Sequence, residues 1–266
     1  MKQKPFRYFL LALAISYIVG LVLFAPNNEE SQSVHAVLED GETDHTTYPD
    51  IQLRTISKQE SDYTLYVQTP VFQSDSLNQF FGDYVEQVMN QFFHGVDVRK
   101  RLDDDVPADL KLTVELGEAG QGLYAVRFHE ESYTGGATIK QSVKSWMVDL
   151  DAGELLDRET LFSDVDAAKD QAFALIDKQL KTSEQYQDYL LEAELDGWLA
   201  QTDYHFTNMY IDDGQVVFHF NPYQVASGAA GMPEVIVPIQ QFESLIKEKW
   251  LDRLEIDDEA GFDFYM

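Results

Sequence analysis

DYTLYVQTPVFQSDSLNQFFGDYVEQVMNQFF, residues 62–93, changes its period halfway along. As far as Thr69 the residues alternate, with Tyr63, Leu65 and Val67 on one face. That is the pattern of a half-buried strand, and Pro70 is expected to end it. Ser74, Asp75 and Ser76 then offer helix caps. Leu77, Phe81, Tyr84, Val85, Val88 and Phe92 recur at helical spacing, which predicts an amphipathic helix over residues 76–93.

The chain downstream repeats this mixture. Residues 110–116 and 122–130 read as strands joined by a turn containing Gly117, Gly120 and Gly122, and a third strand, 138–149, ends at Asp151-Ala152-Gly153. Ser163 to Asp166 caps a helix over 167–181. A second helix is expected over 183–199, with Tyr189, Leu190, Ala193 and Trp198 on its inner side. Asp212-Asp213-Gly214 is a strong hairpin signal between strands 205–211 and 215–220. A strand at Glu234 to Val237 and a closing helix, Ile239 to Trp250, complete the pattern. Meandering antiparallel strands with inserted helices indicate an α+β fold over residues 51–250 rather than a parallel α/β sheet. Residues 251–266 read as an acidic tail.

Upstream lies the uncharged run Tyr8 to Phe24, YFLLALAISYIVGLVLF, at the short end of what spans a bilayer as a helix. Lys2, Lys4 and Arg7 precede it and Glu29 and Glu30 follow. The positive-inside rule therefore places residues 1–7 in the cytoplasm and the bulk of the chain outside. An uncleaved anchor over 8–24 is expected in preference to a signal peptide, because Pro26 follows Leu23-Phe24-Ala25 and the apolar run is long for a signal. Residues 25–50 are polar, acidic and aperiodic, and read as a linker.

The whole chain of 266 residues is 44% hydrophobic, enough for a real core, and carries a net charge of −28. A field of that sign repels nucleic acid and attracts cationic proteins. There is no cysteine, which removes disulfides, thiolate nucleophiles and cysteine–zinc sites. The histidines form no HExxH. His205 and His219 could face each other across the hairpin, and surface pairing is expected there rather than metal ligation. Asp103-Asp104-Asp105 lacks the glycine and distal glutamate of a calcium loop, and Asp164, Asp166 and Asp170 sit at a helix start. No GxSxG, Walker loop or GxGxxG occurs, so neither a catalytic group nor a cofactor is assigned.

Two glycine-rich strings follow strands: Ser132-Tyr133-Thr134-Gly135-Gly136-Ala137, and Asn221 to Gly231, NPYQVASGAAG. Each suits tight turns at positive φ, or a surface loop shaped for a partner. Together with Tyr66 to Pro70, Leu77-Asn78, Asp149 to Glu154, Leu161-Phe162, Val217 to Phe220 and Glu234 to Pro238, they resemble a known family. It is the extracytoplasmic domain shared by the lysozyme-sensing anti-sigma factor RsiV and the accessory region of the peptidoglycan deacetylase PdaC. Thr138-Ile139 and Ser227-Gly228 depart from the family pattern. The resemblance implies a membrane-anchored binding or sensing module of the envelope, with lysozyme, another cationic protein or the cell wall as partner. It makes Tyr133, Thr134, Gly135, Gly136, Tyr223, Ala229, Ala230 and Gly231 the candidate contact residues. Only six residues precede Arg7, so a cytoplasmic sigma-binding region is not expected. A wall enzyme and a structural part of an envelope complex are the other classes left open.

Overall fold

The computed structural model describes residues 41–100, 106–202, 204 and 206–254. The predicted membrane anchor, most of the predicted linker and His205 lie outside these residues. Among the described residues no helix is long and apolar enough to cross a membrane.

A seven-stranded sheet runs in chain order: β1 (Glu42–His45), β2 (Gln52–Gln59), β3 (Tyr63–Val71), β4 (Ala108–Gly120), β5 (Leu123–Tyr133), β6 (Lys140–Asp149) and β7 (Glu154–Leu155). Five of its contacts are antiparallel. The exception is β3 against β4, which is parallel and corrects the expectation of antiparallel strands throughout. Its cause is α1 (Asp75–Lys100), which carries the chain back across the sheet so that β4 starts where β3 started. Pro70 does not end β3. It pairs with Leu53 of β2, and β4 matches β3 only from Tyr63 to Val67, so the missing N–H of Pro70 costs no bond to β4.

α1 seals one face of this sheet. Leu77, Phe81, Val85, Val88 and Phe92 are buried, as their spacing predicted, and Met89 and Val96 extend the stripe. Phe81 stacks on Phe128 of β5 at 5.9 Å, and Trp146 of β6 sits edge-on to Phe80, Phe81, Tyr84 and Phe128. Each such side chain gains ~1.5–3 kcal/mol from burial.

The opposite face carries a second core. After α2 (Arg158–Leu161), α3 (Val165–Thr182) and α4 (Glu192–Leu199), the strands β8 (Met209–Asp212), β9 (Gln215–His219) and β10 (Glu234–Pro238) form a three-stranded sheet in the order β10-β9-β8. β8 lies against β4, β5 and β6, and α3 packs against β10. Val216 to His219 are all buried, as befits a central strand covered on both sides. Asp212-Asp213-Gly214 makes the predicted turn, with Asp213 and Gly214 both at positive φ.

Further sequence readings differ from the structure, among them the strand expected over 205–211, which is formed only at Met209–Asp212. Glu42–His45 lies in the stretch read as linker yet pairs with β2. The stretch 183–199 is a 3₁₀ turn, Gln187–Tyr189, followed by α4. Leu190 and Leu191 bond to Ala226 and Val225 instead of continuing a helix, so Ala193 is exposed and Leu195 joins Trp198 inside. Residues 239–250 are a 3₁₀ segment, Ile239–Leu245, and a short α5 (Glu248–Leu251). Finally, the start of the supposed tail is part of the fold, since Leu254 is buried and Arg253 grips Asp149.

Candidate functional site

The first glycine string closes β5 and turns the chain towards β6. The Tyr133 hydroxyl donates to the Gly136 carbonyl at 3.3 Å, and the Arg99 guanidinium of α1 lies over the Tyr133 ring at 5.2 Å. Thr134 presses on Gly95 of α1, where a Cβ would come within 2.7 Å of it. Gly135 and Gly136 have φ of 119° and 89°.

The second string follows β9. The Asn221 side chain accepts from the Val143 N–H of β6 at 2.7 Å. Tyr223 sits at φ 65° with two-thirds of its surface exposed, and its ring covers Gly228. Gly228–Ala230 form a single 3₁₀ turn that Gly231 leaves at φ 72°. Ala229 and Gly231 are exposed. Both strings are thus attached to β6. Among the described residues no hydrogen bond, ion pair or ring contact joins Tyr133–Gly136 to Tyr223–Gly231.

Two polar clusters had no signal in the sequence. Glu130 is buried and accepts from Ser132, Lys140 and Ser142 at 3.2, 2.8 and 2.9 Å. Burial, and then the Glu130 carboxylate, pushes the Tyr84 phenol well above its ordinary range. The second cluster joins the two sheets. Arg127 of β5 donates to the Tyr210 hydroxyl at 2.7 Å, pairs with Glu115 at 2.6 Å and reaches Asp212 at 3.7 Å. His219 is buried, contrary to the surface position expected of it, with Nδ1 at 2.9 Å from Glu234. That ring holds the Glu234 carboxyl below its usual range. These groups pair with one another and fasten the two sheets together, although Arg127 Nε is buried without a hydrogen-bond partner and His219 Nδ1 meets Glu234 by ion-pair distance alone. Among the described residues no three of His, Asp and Glu are grouped as a metal would require.

A cleft of about 270 Å³ is different. One wall is Lys144 to Met147 of β6. The others are Leu155 to Glu159 with Leu161, and the segment Phe206 to Met209. Ser145 and Asn208 are 6% and 5% exposed, and neither the Ser145 Oγ nor the Asn208 Oδ1 has a hydrogen-bond partner in the protein. Leaving a buried polar atom unsatisfied costs ~1–3 kcal/mol. Phe206 and Asn208 also sit at φ 52° and 61°, which is costly for Phe. Asn208 is held there by its carbonyl, which accepts from the His219 N–H at 2.9 Å. Ser145 and Asn208 are far apart in sequence and belong to no local pattern, so only the fold brings them to one cavity.

The fold is α+β, with a large mixed sheet, a small antiparallel sheet and a helix on the outer side of each. A family described as "Protein of unknown function (DUF3298)" matches residues 159–240, which supply one wall of the cleft. The peptidoglycan-N-acetylmuramic acid deacetylase PdaC of Bacillus subtilis (strain 168) is 21% identical over 254 residues. That alignment covers 95% of this chain and 53% of the deacetylase, so the chain spans about half the length of this relative. Two solved DUF3298-family structures share the fold. One, from Bacteroides fragilis, has a TM-score of 0.54 at 18% identity and covers 78% of this chain and 98% of its own. The other, from Pseudomonas aeruginosa PAO1, has a TM-score of 0.52 at 17% identity and covers 74% and 94%.

Proposed function

We propose that this chain is a membrane-anchored, extracytoplasmic binding domain that engages peptidoglycan and serves wall metabolism as an accessory module, not as an enzyme. The observation that carries the reading is the alignment of nearly the whole chain with part of a peptidoglycan deacetylase. The apolar run Tyr8 to Phe24, with bases before it and acids after it, supports attachment to the membrane with the domain outside. Binding without catalysis is supported by the engagement of the buried acids, Glu130 and Asp149, and of His219 within the fold. The test is sedimentation of the full chain, in detergent, with purified peptidoglycan. Retention that persists at physiological salt is expected, and a chain that stays in the supernatant overturns the proposal.

The net charge of −28 favours a second reading, in which a cationic wall-active protein such as lysozyme is the partner. Charge alone attracts any basic protein, and that attraction is screened beyond about 8 Å at physiological salt. Titration with lysozyme and with a basic protein of unrelated fold separates the cases. A defined stoichiometry with lysozyme alone, surviving physiological salt, supports this reading; equal binding that is lost with salt removes it.

A further inference from the structure

We propose that the outward face of β2 and β3 is the surface that meets the wall, and that its ligand is a neutral glycan strand laid over Tyr66. The proposal deepens the wall-binding reading and rests on it.

Alternation along the two strands builds this surface. Ile56, Leu65 and Val67 turn inwards beneath α1 and are buried. Thr55, Ser57, Gln59, Thr64, Tyr66 and Gln68 therefore turn to the opposite side. The register sets Ser57 beside Tyr66, Thr55 beside Gln68 and Gln59 beside Thr64. On that side the small sheet lies against β4, β5 and β6, while Ser57, Gln59 and Tyr66 are exposed.

None of these six side chains is charged, in a chain where 25% of residues are and whose net charge is −28. Both charged residues of β2, Arg54 and Lys58, fall on the α1 side. The nearest charge across the ladder is Lys111 of β4, beside Tyr66, and Glu131 of β5 stands opposite it. A cationic protein finds no carboxylate to pair with on this face of β2 and β3. Charge complementarity therefore selects a neutral partner here, whatever the rest of the molecule attracts.

The groups present are those that sugar hydroxyls need. Serine and threonine hydroxyls and the glutamine amide each donate and accept. Among the described residues no hydrogen bond engages the side chains of Thr55, Ser57, Gln59 or Thr64. Tyr66 adds an apolar ring for the C–H face of a pyranose. Gln68 holds that ring in place: its Oε1 accepts from the Val114 N–H of β4 at 3.1 Å, and its Nε2 donates to the Tyr66 hydroxyl at 3.3 Å. Ser57, on the other side, is too short to cover the ring. Neighbouring strands stand ~4.8 Å apart, close to the length of one pyranose unit, so a glycan crossing them meets a fresh side chain with each sugar. The buried side chains beneath fix the strands beforehand, which keeps the ordering cost of binding low.

The experiment is sedimentation of the full chain, in detergent, over a range of peptidoglycan concentrations, for the parent, Tyr66→Ala, Tyr66→Phe and Ser57→Glu. Tyr66→Ala should weaken binding at least about tenfold, as loss of a central aromatic contact does. Tyr66→Phe keeps the ring and should bind like the parent. Ser57→Glu sets a solvated carboxylate against the ring and should weaken a glycan, whereas a cationic partner would gain from it. Both positions are exposed, so the variants should melt with the parent. Should Tyr66→Ala melt lower, Ser57→Glu carries the test. Excess hexa-N-acetylchitohexaose, a soluble neutral glycan, should displace the parent from peptidoglycan, and high salt should not. Parent-like binding by Tyr66→Ala, tighter binding by Ser57→Glu, failure of the hexasaccharide to displace, or release by high salt overturns the proposal. Any of these, with a parent that sediments at physiological salt, leaves the wall-binding reading standing. A parent that stays in the supernatant removes both.

Discussion

Gly135 and Gly231 both adopt positive φ, yet they meet different surroundings. A Cβ at Gly231 has nothing within 4 Å, whereas one at Gly135 would lie 3.0 Å from the Arg99 side chain. Valine at Gly231 should therefore cost only its backbone strain, at least ~1 kcal/mol. Valine at Gly135 should cost more, because Arg99 must also move away from Tyr133. Thermal melts of the two variants check the order; a Gly231 variant that melts below the Gly135 variant would contradict it. Glycine clusters are conspicuous in a sequence, which is why Tyr133 to Gly136 and Ala229 to Gly231 could be marked as candidates without coordinates. Ser145 and Asn208 could not be. Their significance is an absence of partners in a cavity, and nothing local encodes that.

At the scale of elements, local pattern was sufficient wherever local forces decide the outcome. α1 and the β8–β9 turn follow from apolar spacing and from Asp212-Asp213-Gly214. Local pattern was insufficient where a distant partner decides. β1 reads ETDH, exposed throughout, and is a strand only because β2 offers it hydrogen bonds. The predicted helix over 183–199 breaks because Val225 and Ala226 compete for the backbone of Leu190 and Leu191. Arg253 ties down the C-terminal element together with buried Trp250 and Leu254, and it pairs with Asp151 at 2.9 Å as well as with Asp149. Arg253 makes a two-pronged bond to Asp149 at 2.8 and 2.9 Å. Burial pushes the Asp149 carboxyl up, but Arg253 and the N–H groups of Ala152 and Asp151 outweigh it and hold the group below its usual range. A depressed carboxylate stabilises the fold above its unfolded value and loses that contribution as pH falls through the folded value. The wild type should therefore lose stability below about pH 4 more steeply than Arg253→Ala does. At neutral pH that variant should be ~1–3 kcal/mol less stable. Chemical denaturation across pH 2–7 measures both effects, and parallel pH profiles would contradict the assignment.

The whole molecule is strongly acidic, so at low salt charge governs which molecules approach it. The orientation of the chain is open to a direct check. Protease added to intact protoplasts should digest the domain and leave a small membrane-bound stub if the proposed orientation holds. Protection until lysis would reverse the orientation, and release of the full domain into the medium would indicate cleavage of the anchor. The proposed binding to peptidoglycan is tested most directly by amide hydrogen exchange of the full chain with and without soluble peptidoglycan fragments. Slowed exchange over one contiguous face of the domain is expected, and exchange left unchanged throughout would contradict the proposal.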